Sequence, residues 1–219
     1  MTRKEAILET ATVLFAEKGF RNTSIGDIAK MIGVADGTVF YHYKTKEELF
    51  LAVLESFKAK LIEECQVFIA ERHEESGLEM VLGFISFYIH LAAEMEERFL
   101  LLHRHYPYKL AENNPFCRKH LEDIYNCFID IFEQAIVAGQ KDGSIAKMPA
   151  RKTAFIVFIM VDGLVRIGTY NLYQAGVLYT ELSACCRRML AGNEEACYRG
   201  PSSSGKCQED KEMKGGEIK

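Results

Sequence analysis

The sequence predicts an all-α chain, with an N-terminal three-helix unit that contains a helix-turn-helix and a larger helical domain after it. Three observations carry this. Apolar residues recur at i, i+3, i+4 and i+7 in segment after segment, and no segment alternates as a strand would. Ser24 with Asp27 and Thr45 with Glu48 have capping-box spacing on either side of Gly33. With 219 residues, 48% of them apolar, the chain has material for a small unit and a sizeable second core.

The elements follow in order. Ile7, Ala11, Leu14 and Phe15 stripe a first helix that Gly19 ends, while Glu5, Glu9 and Glu17 break up any apolar run resembling a signal peptide. Ser24 caps a second helix, with Ile25, Ile28, Ala29 and Ile32 on its inner face and Lys30 outside. Gly33 tolerates a left-handed turn, and Val34 fills the angle between the helices. The third helix, Asp36 to about Tyr43, directs Val39 and Phe40 inward and Asp36, Gly37, Thr38, Tyr41 and His42 outward. Small, hydroxylic and aromatic-polar groups on an outer face suit base edges and phosphates better than a core.

A long helix runs from Lys46 to about Arg72 with Phe50, Leu54, Phe57 and Leu61 inside, a rod of about 40 Å. Ser76 and Glu79 open another helix, with Met80, Phe84, Phe87 and Leu91 in line. A short helix is expected around Phe99 to His103, then a loop from Tyr106 to Asn114 containing Pro107. Pro115 begins a helix striped by Leu121, Ile124, Phe128, Ile131 and Ala135, which stops at Gly143. From Ala150 to Gln174 the pattern is helical again, and Phe155 to Val161 is apolar on every side, which predicts burial all round. Asp162 and Arg166 are spaced to pair. A last helix covers about Leu178 to Leu190. After Tyr198, Gly, Pro and Ser predict a disordered tail.

Seven cysteines without a CxxC pair indicate neither a disulfide framework nor a zinc module, although adjacent Cys185 and Cys186 leave redox sensing open beside ordinary packing. His103 and His105 sit about 200° apart around a helix, so they cannot share one metal ion. No metal or cofactor is expected. Residues 1–60 hold nine Lys/Arg against eight Asp/Glu and the remainder is net −5, an asymmetry of the expected sign for an anionic partner but no strong basic patch. The absence of GxSxG, phosphate-loop or dinucleotide motifs argues against an enzyme, and a helical protein-interaction adaptor is the alternative to a DNA reader.

The run Thr23-Ser24-Ile25, Asp27-Ile28-Ala29, Gly33-Val34, Gly37-Thr38-Val39 and Phe40-Tyr41-His42-Tyr43-Lys44-Thr45-Lys46-Glu47-Glu48-Leu49 resembles the tetracycline-repressor (TetR) family of regulators over the first quarter of the chain. Two positions depart from it, Ala35 where serine often caps and Phe40 where tyrosine is usual. The resemblance implies a cytoplasmic repressor that binds a double-stranded, inverted-repeat operator as a homodimer, with no membrane attachment, and is released by a largely apolar small-molecule effector. It implies that Thr38 touches bases and that Thr23, Tyr41, His42 and Lys46 hold phosphates, with Lys30, Asp36 and Gly37 on the same surface. The expected organisation is a reading domain at 1–48, a ligand-binding and dimerisation domain at 49–197, and a tail at 198–219. Phe84, Phe87, Tyr88, Phe99, His103, Tyr125, Phe128 and Tyr170 are candidate pocket residues. Phe158, Val161, Gly163, Val165, Leu182 and Met189 are candidate dimer contacts.

Overall fold

The computed structural model describes residues 2–72, 75–170 and 175–191; the expected tail, Cys197 and Cys207 lie outside them. Among the described residues there are ten α-helices, one short 3-10 turn and no strand.

Helices α1 (Arg3–Glu17), α2 (Ile25–Met31) and α3 (Asp36–His42) form the N-terminal unit. Thr2 and Glu5 cap α1 reciprocally, as Ser24 and Asp27 cap α2, so the first amides of both helices are satisfied by side chains. Gly33 turns between α2 and α3 at φ +70°, where a side chain would be strained. Ile7, Ala11, Ile28, Ala29 and Val39 are fully buried at the junction of the three helices.

Helix α4 (Lys46–Glu71) leaves this unit and enters the second core, burying Phe50, Leu54, Phe57, Leu61, Cys65 and Phe68 along one side. Thr45 caps it through the Glu48 amide, but the Glu48 carboxylate accepts from the Lys44 amide at 2.7 Å, one residue earlier than a capping box places it. Helix α5 (Gly77–Glu94) is long and apolar enough to cross a membrane by length and composition. Here Phe84 packs among Phe68 of α4 and Phe128 and Phe132 of α8 (Pro115–Asp142), the environment of a core helix.

Helix α6 (Glu96–Leu102) is followed by α7 (His105–Ala111), where the sequence predicts a loop. Pro107 falls in the first turn of α7, where its missing N–H has no intrahelical partner to lose. Helix α9 (Ala150–Thr169) ends at Thr169, short of the expected Gln174, and residues 171–174 lie outside the described set. Helix α10 (Tyr179–Ala191) follows the 3-10 turn.

Burial on α9 is one-sided. Ala154, Val157, Phe158, Val161 and Val165 face the protomer's own core, whereas Phe155, Ile156 and Ile159 are about half exposed, at 50%, 51% and 54%. This corrects the expected dimer contacts: Phe158, Val161 and Val165 are spent inside the protomer, because the 3.6-residue period turns them toward α8. Gly163 lies on open surface, and Met189 and half-buried Leu182 remain accessible on α10.

Candidate nucleic-acid interface and effector cleft

The outer side of α3 is the exposed part of the N-terminal unit. Tyr41 is 76% exposed, Thr38 and His42 are half-buried beside it, and Asp36, Gly37 and Lys30 are exposed nearby. Tyr41 and His42 meet edge to face at 5.2 Å. Ala35, at the N-cap position, supplies no side-chain bond, and Asp36 does not take over the cap; its carboxylate lies against the start of α2 near Gly26. Phe40 is 44% exposed rather than packed inward, since α3 is short and its one buried position is Val39.

Two expected phosphate ligands are structural instead. Thr23 is 1% exposed, and its hydroxyl donates to the carbonyls of Leu14 and Gly19 at 3.0 Å each. Lys46 lays its Nζ over the Phe20 ring and donates to the Phe20 and Thr23 carbonyls at 2.8 Å each. Desolvation by this partial burial lowers the lysine pKa. Thr23 closes the turn onto α1 and Lys46 locks that turn to the start of α4, because a buried carbonyl must find a donor. Lys44, which the motif reading left aside, is an exposed cation at the end of α3, its Nζ 3.4 Å from the carbonyls of Phe40 and Tyr41.

The α6–α7 segment anchors this unit to the second core. Arg104 caps the end of α1, donating from Nε to the Ala16 carbonyl at 2.5 Å and from Nη2 to the Glu17 carbonyl at 2.7 Å. Arg98 pairs with Glu9 at 2.6 Å, and Tyr106 stacks on Phe20 with centroids 3.8 Å apart. Next to Arg104 in the chain, His103 is buried and shares a hydrogen bond from Nε2 to Asp162 at 3.0 Å; Tyr88 donates to the same carboxylate oxygen at 2.6 Å. Asp162 therefore does not make the expected pair with Arg166, which points to solvent. Burial, and then the Asp162 charge, push the Tyr88 phenol well above its usual range, so it stays a donor.

The expected pocket residues do not enclose a cavity. Phe84, Tyr88, Phe99 and Phe128 are fully buried and in mutual ring contact, with Tyr88 4.6 Å from Phe128 and 5.5 Å from Phe99. Phe87 leans on Phe68, Tyr125 bonds to the Tyr108 hydroxyl, and Tyr170, 40% exposed, donates to the His103 carbonyl at 3.2 Å. Apart from exposed Tyr170, these aromatics are core or packed against it, as helical spacing most often means. A half-open cleft of about 280 Å³ lies elsewhere, between the ends of α5 and α9 and the starts of α6 and α10. Ile89, Ala92, Leu164, Val165 and Gly168 form its walls, and Glu96, Thr169 and Tyr179 bring polar groups. No group of three or more metal-ligating side chains is present among the described residues.

A short helix that follows another across a glycine turn, its outer face carrying exposed hydroxylic and aromatic-polar groups, has the form of a helix-turn-helix regulator of transcription. Comparison with known proteins agrees. Residues 7–53 match the model for bacterial regulatory proteins, tetR family. The fatty acid metabolism regulator protein of Bacillus subtilis is 24% identical over 166 residues, 75% of this chain and 82% of that protein. The regulator QacR of Staphylococcus aureus is 40% identical over 60 residues, 27% of this chain and 32% of QacR. Among solved structures, a putative transcriptional regulator from Saccharomonospora viridis in complex with choline superposes with TM-score 0.74 at 21% identity, covering 87% of this chain and 98% of that one. FadR from Bacillus subtilis in complex with stearoyl-CoA gives TM-score 0.70 at 22% identity over 85% and 98% of the two chains. Residues 7–53 match the TetR family, and the chain is a DNA-binding transcriptional regulator similar to members of that family.

Proposed function

We propose that this chain is a dimeric repressor that reads an inverted-repeat operator through α3 and is released by a small molecule bound in its second domain. Residues 1–48 form the reading domain, and residues 49–197 form the sensing and dimerisation domain. The observation that carries the reading is Tyr41, 76% exposed next to Thr38 and His42 on a helix whose other side is anchored by fully buried Val39. An aromatic phenol held mostly in water is suited to a phosphate contact, and Thr38 beside it to base edges. His42, Lys30, Asp36 and Gly37 complete the face.

The dimer forms across the exposed apolar face of α9, Phe155, Ile156 and Ile159, together with Leu178 of the 3-10 turn and Leu182, Cys185 and Met189 of α10. Release runs through α6. Its first residue lines the cleft, and the residues just past its end tie Asp162 of α9 to the end of α1 through His103 and Arg104. A ligand that fits the cleft in only one arrangement of α6 re-aims the reading unit relative to the two-fold axis, with α4 as the long lever. Two relatives solved with small molecules, choline in one and stearoyl-CoA in the other, support a ligand-responsive reading.

The test begins with selection of bound fragments from genomic DNA, followed by anisotropy titration of the selected duplex and a scrambled one. The wild-type chain should prefer the selected duplex, and the folded Tyr41→Ala, His42→Ala variant should lose that preference. Equal binding by the variant sinks the reading; equal binding to the scrambled duplex favours a protein adaptor.

A further inference from the structure

We infer that the cleft between α5, α6, α9 and α10 binds a primary amine on a compact apolar body; this rests on the ligand-responsive reading above and names the chemical class of the effector. The cleft volume of about 280 Å³ is at the small end of ligand sites, which run from about 300 Å³ upward. Its walls are aliphatic, and they are kept apart by small residues, Ala92 and Gly168 among them.

The sign of the ligand follows from the charges. Glu96 is the one charged residue among the described lining residues, and it has no ion-pair or hydrogen-bond partner among the described residues. Of the neighbouring charges, Glu94 pairs with His90 at 3.3 Å and Arg98 with Glu9 at 2.6 Å, while exposed Glu97 and Arg166 do not line the cleft. Helix ends leave little net field, since α5 and α9 finish at the cleft while α6 and α10 begin there. The Glu96 carboxylate therefore decides the potential, and an apolar wall beside it strengthens its attraction for a cation.

The head group follows from the remaining polar atoms. Thr169 already donates its hydroxyl proton to the Val165 carbonyl at 2.9 Å, so only its lone pairs are left to offer. Tyr179 lines the cleft as well, and a tyrosine ring and its phenol oxygen both attract a cation. An ammonium with three N–H donors matches a carboxylate and two hydroxyl oxygens. A coenzyme A thioester does not match them: its phosphates would meet Glu96, and its bulk exceeds the cleft.

The experiment uses the full chain and calorimetric titration with phenylbutylamine, phenylbutanol and phenylbutyrate, which share one apolar body and differ in the head. The amine should bind tighter than either of the others by about tenfold or more, the scale of one charge-assisted contact. Glu96→Gln should erase that preference, and Ala93→Phe, which fills the mouth of the cleft, should abolish amine binding. Equal or tighter binding of the alcohol or the acid, an amine preference that survives Glu96→Gln, amine binding that survives Ala93→Phe, or no amine binding at all overturns the inference. Operator binding by the unliganded chain, measured in parallel, separates the outcomes: a chain that holds its operator but does not prefer the amine defeats only the ligand assignment.

Discussion

Lys46 illustrates how one side chain's role turns on its partners. Its motif position implies a phosphate contact, yet its ammonium is satisfied by the Phe20 and Thr23 carbonyls and by the Phe20 ring. Lys46→Met should cost about 1–3 kcal/mol in urea unfolding, because two buried carbonyls lose a charged donor. The salt dependence of DNA binding should stay as in wild type; a slope smaller by about one would return Lys46 to the phosphates. Asp142 gives the pH counterpart. Hydrogen bonds from the Ser144 side chain and from the Gly77 and Ser144 amides hold its carboxyl below the usual carboxylate range. A lowered folded pKa means that its stabilising contribution is present above the unfolded value, about 3.9, and disappears as pH falls through the lower folded value. Thermal melts in acid should therefore show a steeper loss in wild type than in Asp142→Asn.

At the level of elements, the approach of α5 to α8 is set by two glycines. A Cβ on Gly77 would overlap the backbone of Gly139 and the Ala135 carbonyl, and neither can move without separating the helices. Gly77→Ala should destabilise by about 3 kcal/mol or more, read from denaturant midpoints. At Gly139 the nearest atoms to an added Cβ belong to the Ile145 side chain rather than to backbone, so Gly139→Ala should cost less. The same junction explains why the α5 cap is stronger than Ser76 alone makes it: Asp142 and Ser144, from the end of α8, accept from the Gly77 and Leu78 amides at 2.8 and 3.1 Å. Helix α6 works differently, as a short tie between the α9 carboxylate and the α1 terminus.

For the whole molecule, the exposed apolar stripe of α9 is what a monomer would leave unpartnered. A Cβ at Gly163 meets no atom within 4 Å, so Gly163→Arg should leave the fold intact and break the proposed dimer. Sedimentation should show monomers, and operator affinity should fall because two half-sites are no longer held together. Cys185, exposed in the protomer, should alkylate faster in that variant than in wild type; equal rates would remove α10 from the interface. DNA binding should weaken as salt rises, though modestly for the class, because few cations flank α3.

Local rules settled much of this in advance. The Ser24–Asp27 box, Gly33, the stripes of α4 and α8, and the exposed Tyr41 are consequences of residues within one or two turns of each other, so the sequence alone determined the fold class and the exposure of Tyr41. The Pro107 helix was hidden because proline is read as a breaker unless its place in the first turn is known. The cleft and the α6 tie belong wholly to the tertiary structure. His103 meets Asp162 across 59 residues and Arg104 meets Ala16 across 88. The cleft exists where small side chains from α5 and α9 happen to face one another, whereas the aromatics that a sequence advertises as a pocket are drawn into the core by their own apolar area.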